Sequence, residues 1–350
     1  MTSPIDWRAA AARAASVVPA GPPVDRTGAA ALVASLRRAA AQAPPLVAGV
    51  TGLHEASAAA GDRPPLVVDR ARWAAAATET FASLTDGVLP PPRLPGAARV
   101  AGEQLGVVLA LLGTRVLGQF DPYAQGRPDG TGAGRLLLVA PNILTVQRQL
   151  DADPTDFHLW VCLHEQTHAV QFAAAPWLAD HLRAALARVM EPVDGDADGE
   201  DAPAPVARPA RRAVRGRAGA VSAVPGVLES VLEPPQREAL ADAVAVMSLL
   251  EGHADVVMDE VGPTAIPSVA RIRAGFEKRR DERTWASVLV RRLLGMDAKL
   301  AQYRTGAAFV RGVLGAVGHE GLNAVWAGPE RLPTADEIAD PAAWVARVHG

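Results

Sequence analysis

The spacing of apolar residues predicts a chain that is mainly helical. Ala-rich stretches with helical periodicity fill residues 5–60, and breaks are expected near 19–23 and 44–45, where prolines cluster. Further helical patterns cover 69–86 and 97–118. We expect the helix at 97–118 to pack behind the helix that carries the candidate site.

One short apolar run is typical of a β-strand. Residues 135–139 are apolar after Arg135 and are followed by Pro141. A Gly-rich loop at 125–134 precedes them; we expect it to be mobile, because no Gly-Lys-Ser/Thr follows it to bind a phosphate. Many helices around one small sheet place the chain in the α+β fold class, mainly α.

A long helix is predicted to begin at Asp153-Pro154. Aspartate is a favoured N-cap, proline suits the first helical position, and Asp156 adds favourable negative charge to the first turn. Apolar residues then cover much of the helix surface, and Pro176 marks its end. They are Phe157, Trp160, Val161, Leu163, Val170 and Phe172. This pattern predicts a buried helix.

The same helix contains the run His164-Glu165-Gln166-Thr167-His168. Residues four apart lie on one helix face, so both imidazoles can reach one metal ion, and Glu165 can reach a water molecule there. The alternative is a buried helix whose histidines only hydrogen-bond to neighbours. We favour the metal site, because two His and a Glu in an apolar helix are costly to bury without partners.

A third ligand is expected on a second long helix, which the pattern places between Pro234-Pro235 and Gly262-Pro263. Glu251 is the best candidate, with Asp255 one turn later accepting an N–H from His164. The alternative for Glu251 and Asp255 is a pair of salt-bridged helix carboxylates.

His253 is a rival ligand. It lies about 200° around the helix from Glu251, so the two side chains cannot face the same ion. Gly252 between them would allow another backbone or a substrate to approach closely.

Composition narrows the possible partners and compartments. The chain has 350 residues, a net charge of −3 and a single cysteine, which excludes an intrachain disulfide. This charge provides no field that would attract nucleic acid or an anionic membrane. Without a signal segment or an apolar run of membrane-spanning length, a cytoplasmic protein is expected.

Two regions are expected along the chain. Residues 1–95 would form an N-terminal helical region packed on a catalytic domain at 96–350. Residues 191–225 are rich in Asp, Ala, Pro, Arg and Gly, a composition that predicts a disordered insertion.

The run HEQTH followed by EGHAD resembles the zincin metallopeptidases, in particular the gluzincins, whose third ligand is a Glu on a later helix. From about Leu117 to Val348 the chain resembles the bacterial zincin-like metallopeptidase type 2 family, whose members are often labelled as associated with biosynthesis of a deazaflavin coenzyme. The landmarks of this resemblance are 118–122, 134–142, 164–172, 251–255, 302–303 and 332–334.

The resemblance implies a zincin-like metalloprotease fold with added helices. By that resemblance His164, His168 and Glu251 bind Zn²⁺ and Glu165 is the catalytic base. It also implies that an edge strand pairs with extended substrate, a role that residues 137–140 would take. Because zincins often use a Tyr or His to stabilise the oxyanion, Tyr303 and His319 are candidates for that role; the alternative for Tyr303 is a buried hydroxyl with a local partner.

The function that follows is a zinc-dependent metallopeptidase that acts on a peptide or protein substrate. One alternative is a non-catalytic zinc protein that binds a partner on a zincin scaffold. Another is an amidase that acts on a small metabolite. The oligomeric state is not inferred.

Overall fold

The computed structural model describes residues 3–89, 92, 94–124, 134–191, 232–281 and 300–350, without the side chains of 277, 279–281 and 300–305. The predicted insertion at 191–225 and the Gly-rich loop at 125–134 therefore fall almost wholly outside the described residues. The described part is mainly helical with one small sheet, which confirms the predicted α+β class. None of its helices is both long enough and apolar enough to cross a bilayer.

The elements follow one another in this order. The first half contains α1 (Trp7–Val17), α2 (Arg26–Thr51), α3 (His54–Gly61), β1 (Leu66–Val68), α4 (Arg70–Thr85), α5 (Ala97–Gly113), β2 (Gly118–Asp121), β3 (Arg135–Val139) and α6 (Ala140–Gln149). The second half contains α7 (Pro154–Ala174), α8 (Leu178–Met190), α9 (Pro234–Ala265), α10 (Val269–Asp281), α11 (Leu300–Leu322), α12 (Ala335–Ala339) and α13 (Pro341–His349). The expected boundary at residue 95 stays a prediction; β1 from before it pairs with β3 from after it.

The sheet has the strand order β1-β3-β2. β3 pairs in parallel with β1 and antiparallel with β2, so it is the central strand. The prediction that residues 137–140 form an edge strand was wrong, because β1 and β2 cover both sides of β3. The outer edge nearest the HEQTH helix belongs to β2, which packs against α7.

The helix α7 lies at the centre of the largest apolar core. It is covered by α2, α3, α9 and β2, which explains why apolar residues occur on most of its surface. Its predicted start is confirmed, since Asp153 Oδ1 accepts hydrogen bonds from the N–H groups of Thr155 and Asp156 at 2.9 and 3.0 Å.

The predicted helix break at Pro44-Pro45 was wrong. α2 continues through both prolines to Thr51, with Pro44 buried. Pro44 has no N–H to donate to the Ala40 carbonyl four residues earlier, a loss that normally weakens a helix. In this structure Gln166 of α7 donates its side-chain N–H to that carbonyl at 3.2 Å. The partner helix therefore satisfies the group that the proline leaves free.

The expectation for α5 was also wrong. Instead of packing behind α7, it packs on α1 and α4. Gly102 lies directly against the backbone of Asp6, the N-cap of α1, and Gly106 lies against the backbone of Ala10 in α1. Any larger residue at either glycine would separate the two helices. α2 and α3, rather than α5, pack against α7.

Candidate metal centre

Three side chains predicted as ligands converge between α7 and α9. His164 Nε2 and His168 Nε2 are 3.2 Å apart, and their rings meet edge to face with centroids at 4.7 Å. The Glu251 carboxylate approaches from α9, with one oxygen 3.7 Å from His164 Nε2 and the other 3.6 Å from His168 Nε2. Each residue offers a donor atom within 4.8 Å of the others.

The group is open on the side of Glu251. The Glu251 side chain is 44% exposed, whereas His164 is 27% and His168 14% exposed. The histidines are thus seated in the protein, and the carboxylate faces solvent. The donor atoms are therefore partly accessible from solvent.

A close helix crossing places Glu251. Gly252 of α9 lies against the backbone of Gly306 and Ala307 in α11, and Gly306 in turn lies against the Ser248 carbonyl. A Cβ on either glycine would overlap backbone atoms of the other helix, so the crossing needs both glycines. The close approach expected at Gly252 is confirmed, and the approaching backbone is α11.

Glu165 is buried and lies against Gly118 of β2. A Cβ built on Gly118 would be 2.6 Å from Glu165 Cγ and 2.9 Å from its Oε1, so the absence of a side chain makes room for the carboxylate. The Phe120 N–H donates a hydrogen bond to this carboxylate. Burial raises the pKa of Glu165 to about 8; the nearby Glu251 carboxylate acts in the same direction, and the Phe120 N–H opposes it.

Gln171 and His253 extend this polar cluster into the core. His168 Nδ1 is 2.9 Å from Gln171 Oε1, and Gln171 Nε2 donates to the Leu250 carbonyl at 2.9 Å. The same Nε2 lies 3.0 Å from His253 Nδ1. His253 is fully buried, and burial, followed by the charges of His319 and His168, lowers its pKa to about 3. Its ring is therefore neutral.

Comparison with known proteins decides the family. The sequence profile of a family described as zincin-like metallopeptidase matches residues 5–345, nearly the whole chain. The chain belongs to the zincin-like metallopeptidase family. This membership supports a hydrolase that uses a metal ion.

A solved structure resembles this zincin-like protein along its full length. It is the crystal structure of a proposed hydrolase with a novel fold from Chloroflexus aurantiacus. The two sequences are 30% identical, the match covers 98% of each chain, and the TM-score is 0.65. The search of curated proteins found no match.

The donor set of this zincin-like protein fits a zinc ion. Zinc in hydrolases is held by imidazole nitrogens and carboxylate oxygens at about 2.0–2.2 Å in a tetrahedron, so its ligand atoms lie about 3.3 Å apart. The observed separations of 3.2, 3.6 and 3.7 Å are close to that spacing. His164, His168 and Glu251 would hold the ion and leave the fourth position open.

The predicted site residue His319 has a partner outside the three ligands of the zincin-like protein. His319 follows a kink at Gly318, and its Nε2 lies 2.7 Å from Glu260, nine residues beyond Glu251 on α9. Nine helical residues span about 13.5 Å, so the geometry pairs His319 with Glu260 rather than with the triad. Its predicted role at the oxyanion stays a prediction.

Asp255 and Tyr303 remain predictions. Asp255 lies one turn after Glu251 on α9, and its backbone carbonyl accepts a hydrogen bond from Arg273 at 2.8 Å. Its role as the partner of His164 is untested. Tyr303 lies in α11, but its side chain is outside the described residues.

Sequence reasoning missed the roles of Gln171 and Gly118 and considered His253 only as a rival ligand to Glu251. Gln171 lies three residues after the candidate ligand His168 on the same helix face, and this spacing is the sequence feature that could have indicated its role. His253 is not a ligand in this geometry, because its ring lies in the core, beside the Trp326 indole at 5.4 Å. The contact of Gly118 with Glu165 joins residues far apart in sequence, and the chain carries no local sign of it.

Proposed function

We propose that this protein is a zinc-dependent peptidase. The observation that carries the proposal is the convergence of two imidazoles and a half-exposed carboxylate at zinc-like spacing, beside a buried glutamate. Zinc, when bound, lowers the pKa of a coordinated water to about 7 and polarises a carbonyl oxygen. His164, His168 and Glu251 would hold the ion.

Glu165 is the general base in this proposal. It neighbours His164 on the same helix and is close enough to Glu251 for the two carboxylates to interact. It would take a proton from the attacking water and return it to the leaving amide nitrogen. Burial favours the protonated form of Glu165, whereas the Phe120 N–H and the positive charge of a bound zinc ion would favour the ionised form that a base requires. Gly118 gives that carboxylate its space.

The outer edge of β2 suits an extended substrate. The Val139 N–H donates to the Leu117 carbonyl at 2.8 Å, which makes 117 and 139 a hydrogen-bonded pair in the antiparallel ladder. Pairs alternate, so the backbone groups of Gly118 and Phe120 point away from β3. The Phe120 N–H on this edge already binds Glu165, so a peptide added as a strand would pair with the other outward backbone groups of β2. An extended peptide is therefore the favoured substrate class.

A digestion experiment tests the proposal. Zinc-loaded protein is incubated with a peptide library, and Glu165→Gln is compared with the parent at equal zinc content. We expect the parent to cleave and Glu165→Gln to lose cleavage while retaining zinc. Equal rates for the two would show that Glu165 is not the base.

Two other outcomes would redirect the proposal. Zinc binding without cleavage of any peptide would favour a non-catalytic zinc protein. Release of a small amide from metabolite mixtures, with no peptide cleaved, would favour an amidase.

A further inference from the structure

We propose that Gln171 and His253 are positioning residues that fix which ring nitrogen of His168 carries the proton. They form a relay, His168–Gln171–His253, that leaves the Nε2 lone pair of His168 free for a metal ion. The inference rests on the metal site proposed above and names residues that act through one of its ligands.

The orientation of the Gln171 amide is set by a backbone carbonyl. The Leu250 carbonyl can only accept a hydrogen bond, so the group that faces it at 2.9 Å must be the NH₂ of Gln171. The amide oxygen then faces His168 Nδ1 at 2.9 Å and can only accept. His168 must therefore hold a proton on Nδ1, and in the neutral ring Nε2 is then unprotonated.

His253 uses the second hydrogen of the same NH₂ group. Gln171 Nε2 lies 3.0 Å from His253 Nδ1, so that nitrogen accepts and the His253 proton resides on Nε2. Turning the amide over would place its oxygen against the Leu250 carbonyl, and no change of tautomer could restore that bond. Because Gln171 and His253 are both fully buried, no solvent would replace the lost partners.

The relay also joins the two helices that carry the ligands. Gln171 is on α7, three residues after His168, and its NH₂ group binds the carbonyl of the residue directly before Glu251 on α9. The bond thus holds the imidazole pair and the carboxylate at their observed separation. The partners of ligating histidines commonly change metal affinity by about 10–100-fold when removed.

Zinc affinity, measured by competition with a chromophoric chelator, tests the relay. We expect Gln171→Met to weaken zinc binding by about 10–100-fold and His253→Phe to weaken it less, because the Leu250 bond remains. If His253 acts through Gln171, the double variant loses no more affinity than Gln171→Met alone. Additive losses would overturn the relay.

The chain offers a matched control in Gln166. It is also a buried glutamine on α7 that donates to a backbone carbonyl, that of Ala40, but its bond lies on the α2 side of the helix. Gln166→Met should destabilise the fold to a similar extent and leave zinc affinity unchanged. Equal affinity losses for Gln166→Met and Gln171→Met would show a general structural effect and overturn the assignment.

A second readout needs neither metal nor activity. Histidine ¹⁵N NMR of the metal-free parent should show His168 protonated on Nδ1 and His253 on Nε2, and His253→Phe provides the assignment. The opposite tautomers would overturn the relay. If the parent binds no zinc, the proposed function fails, and the tautomers of the parent still test the relay. If Gln171→Met does not fold, the zinc affinity of His253→Phe and the tautomers of the parent test the relay.

Discussion

Replacing Gly118 with alanine is expected to displace Glu165 while leaving the three metal ligands in place. The new Cβ would lie 2.6 Å from Glu165 Cγ, 2.7 Å from Cδ and 2.9 Å from Oε1. Since carbon atoms in contact are about 3.5 Å apart, the carboxylate must move by about 0.9 Å. Glu165 is buried and has little room to move without losing its bond to the Phe120 N–H.

A shift of this size has a predictable effect on rate. Misplacing a reacting group by about 1 Å can lower a rate by about 100-fold, or about 2.7 kcal/mol of transition-state stabilisation. We expect Gly118→Ala to lower kcat on a cleaved library peptide by about that factor. Zinc affinity should stay within a few-fold of the parent, because the substitution does not touch the triad.

The control for this experiment is Gly49→Ala. A Cβ at Gly49 would meet nothing within 4 Å, so this variant should keep the parent's rate and be at least as stable, since alanine is the better helix former by about 1 kcal/mol. An unchanged rate for Gly118→Ala would refute the assigned position of Glu165. A parallel loss of zinc in Gly118→Ala would show that the effect passes through the ligands instead.

Three further outcomes are expected. Glu251→Ala should bind zinc more than about 100-fold more weakly, a larger loss than removing the partner of a ligand would cause. The stability of the metal-free protein should change little, because the Glu251 side chain is half-exposed. Chelator competition measures the affinity, and an unchanged affinity would show that Glu251 is not a ligand. Gly252→Ala should lower the free energy of unfolding by about 1–3 kcal/mol, because its Cβ would strike the α11 backbone; a denaturant midpoint equal to the parent's would contradict the close crossing. Burial lowers the pKa of His158 to about 4, below its unfolded value of about 6.5. The contribution of the neutral ring to the free energy of unfolding is therefore complete above pH 6.5 and is lost as the pH falls toward 4. Between pH 7.5 and 4.5 the parent should therefore lose about 2–3 kcal/mol more stability than His158→Gln in urea titrations, and identical pH profiles would refute this.

The sequence predicted the elements that depend on local chemistry. The start of α7 follows from Asp153 and Pro154, whose capping roles need only adjacent residues. The two long helices and the facing pair His164 and His168 follow from helical spacing. The pattern of the second long helix also indicated Glu251 as their partner across a long separation, and the family resemblance implied the same residue.

Features that depend on contacts between distant elements were missed. The continuity of α2 through Pro44 depends on an N–H from Gln166, more than a hundred residues away. The central position of β3 depends on β1 pairing from the other side. The orientation of His168 depends on the Leu250 carbonyl, which no pattern within α7 can indicate.

The most direct measurement is a crystal structure of the protein soaked or grown with zinc, with data collected at the zinc absorption edge. The account predicts one strong anomalous peak, within about 2.0–2.2 Å of His164 Nε2, His168 Nε2 and a Glu251 oxygen. A peak bound by other residues, or no peak despite saturating zinc, would contradict it.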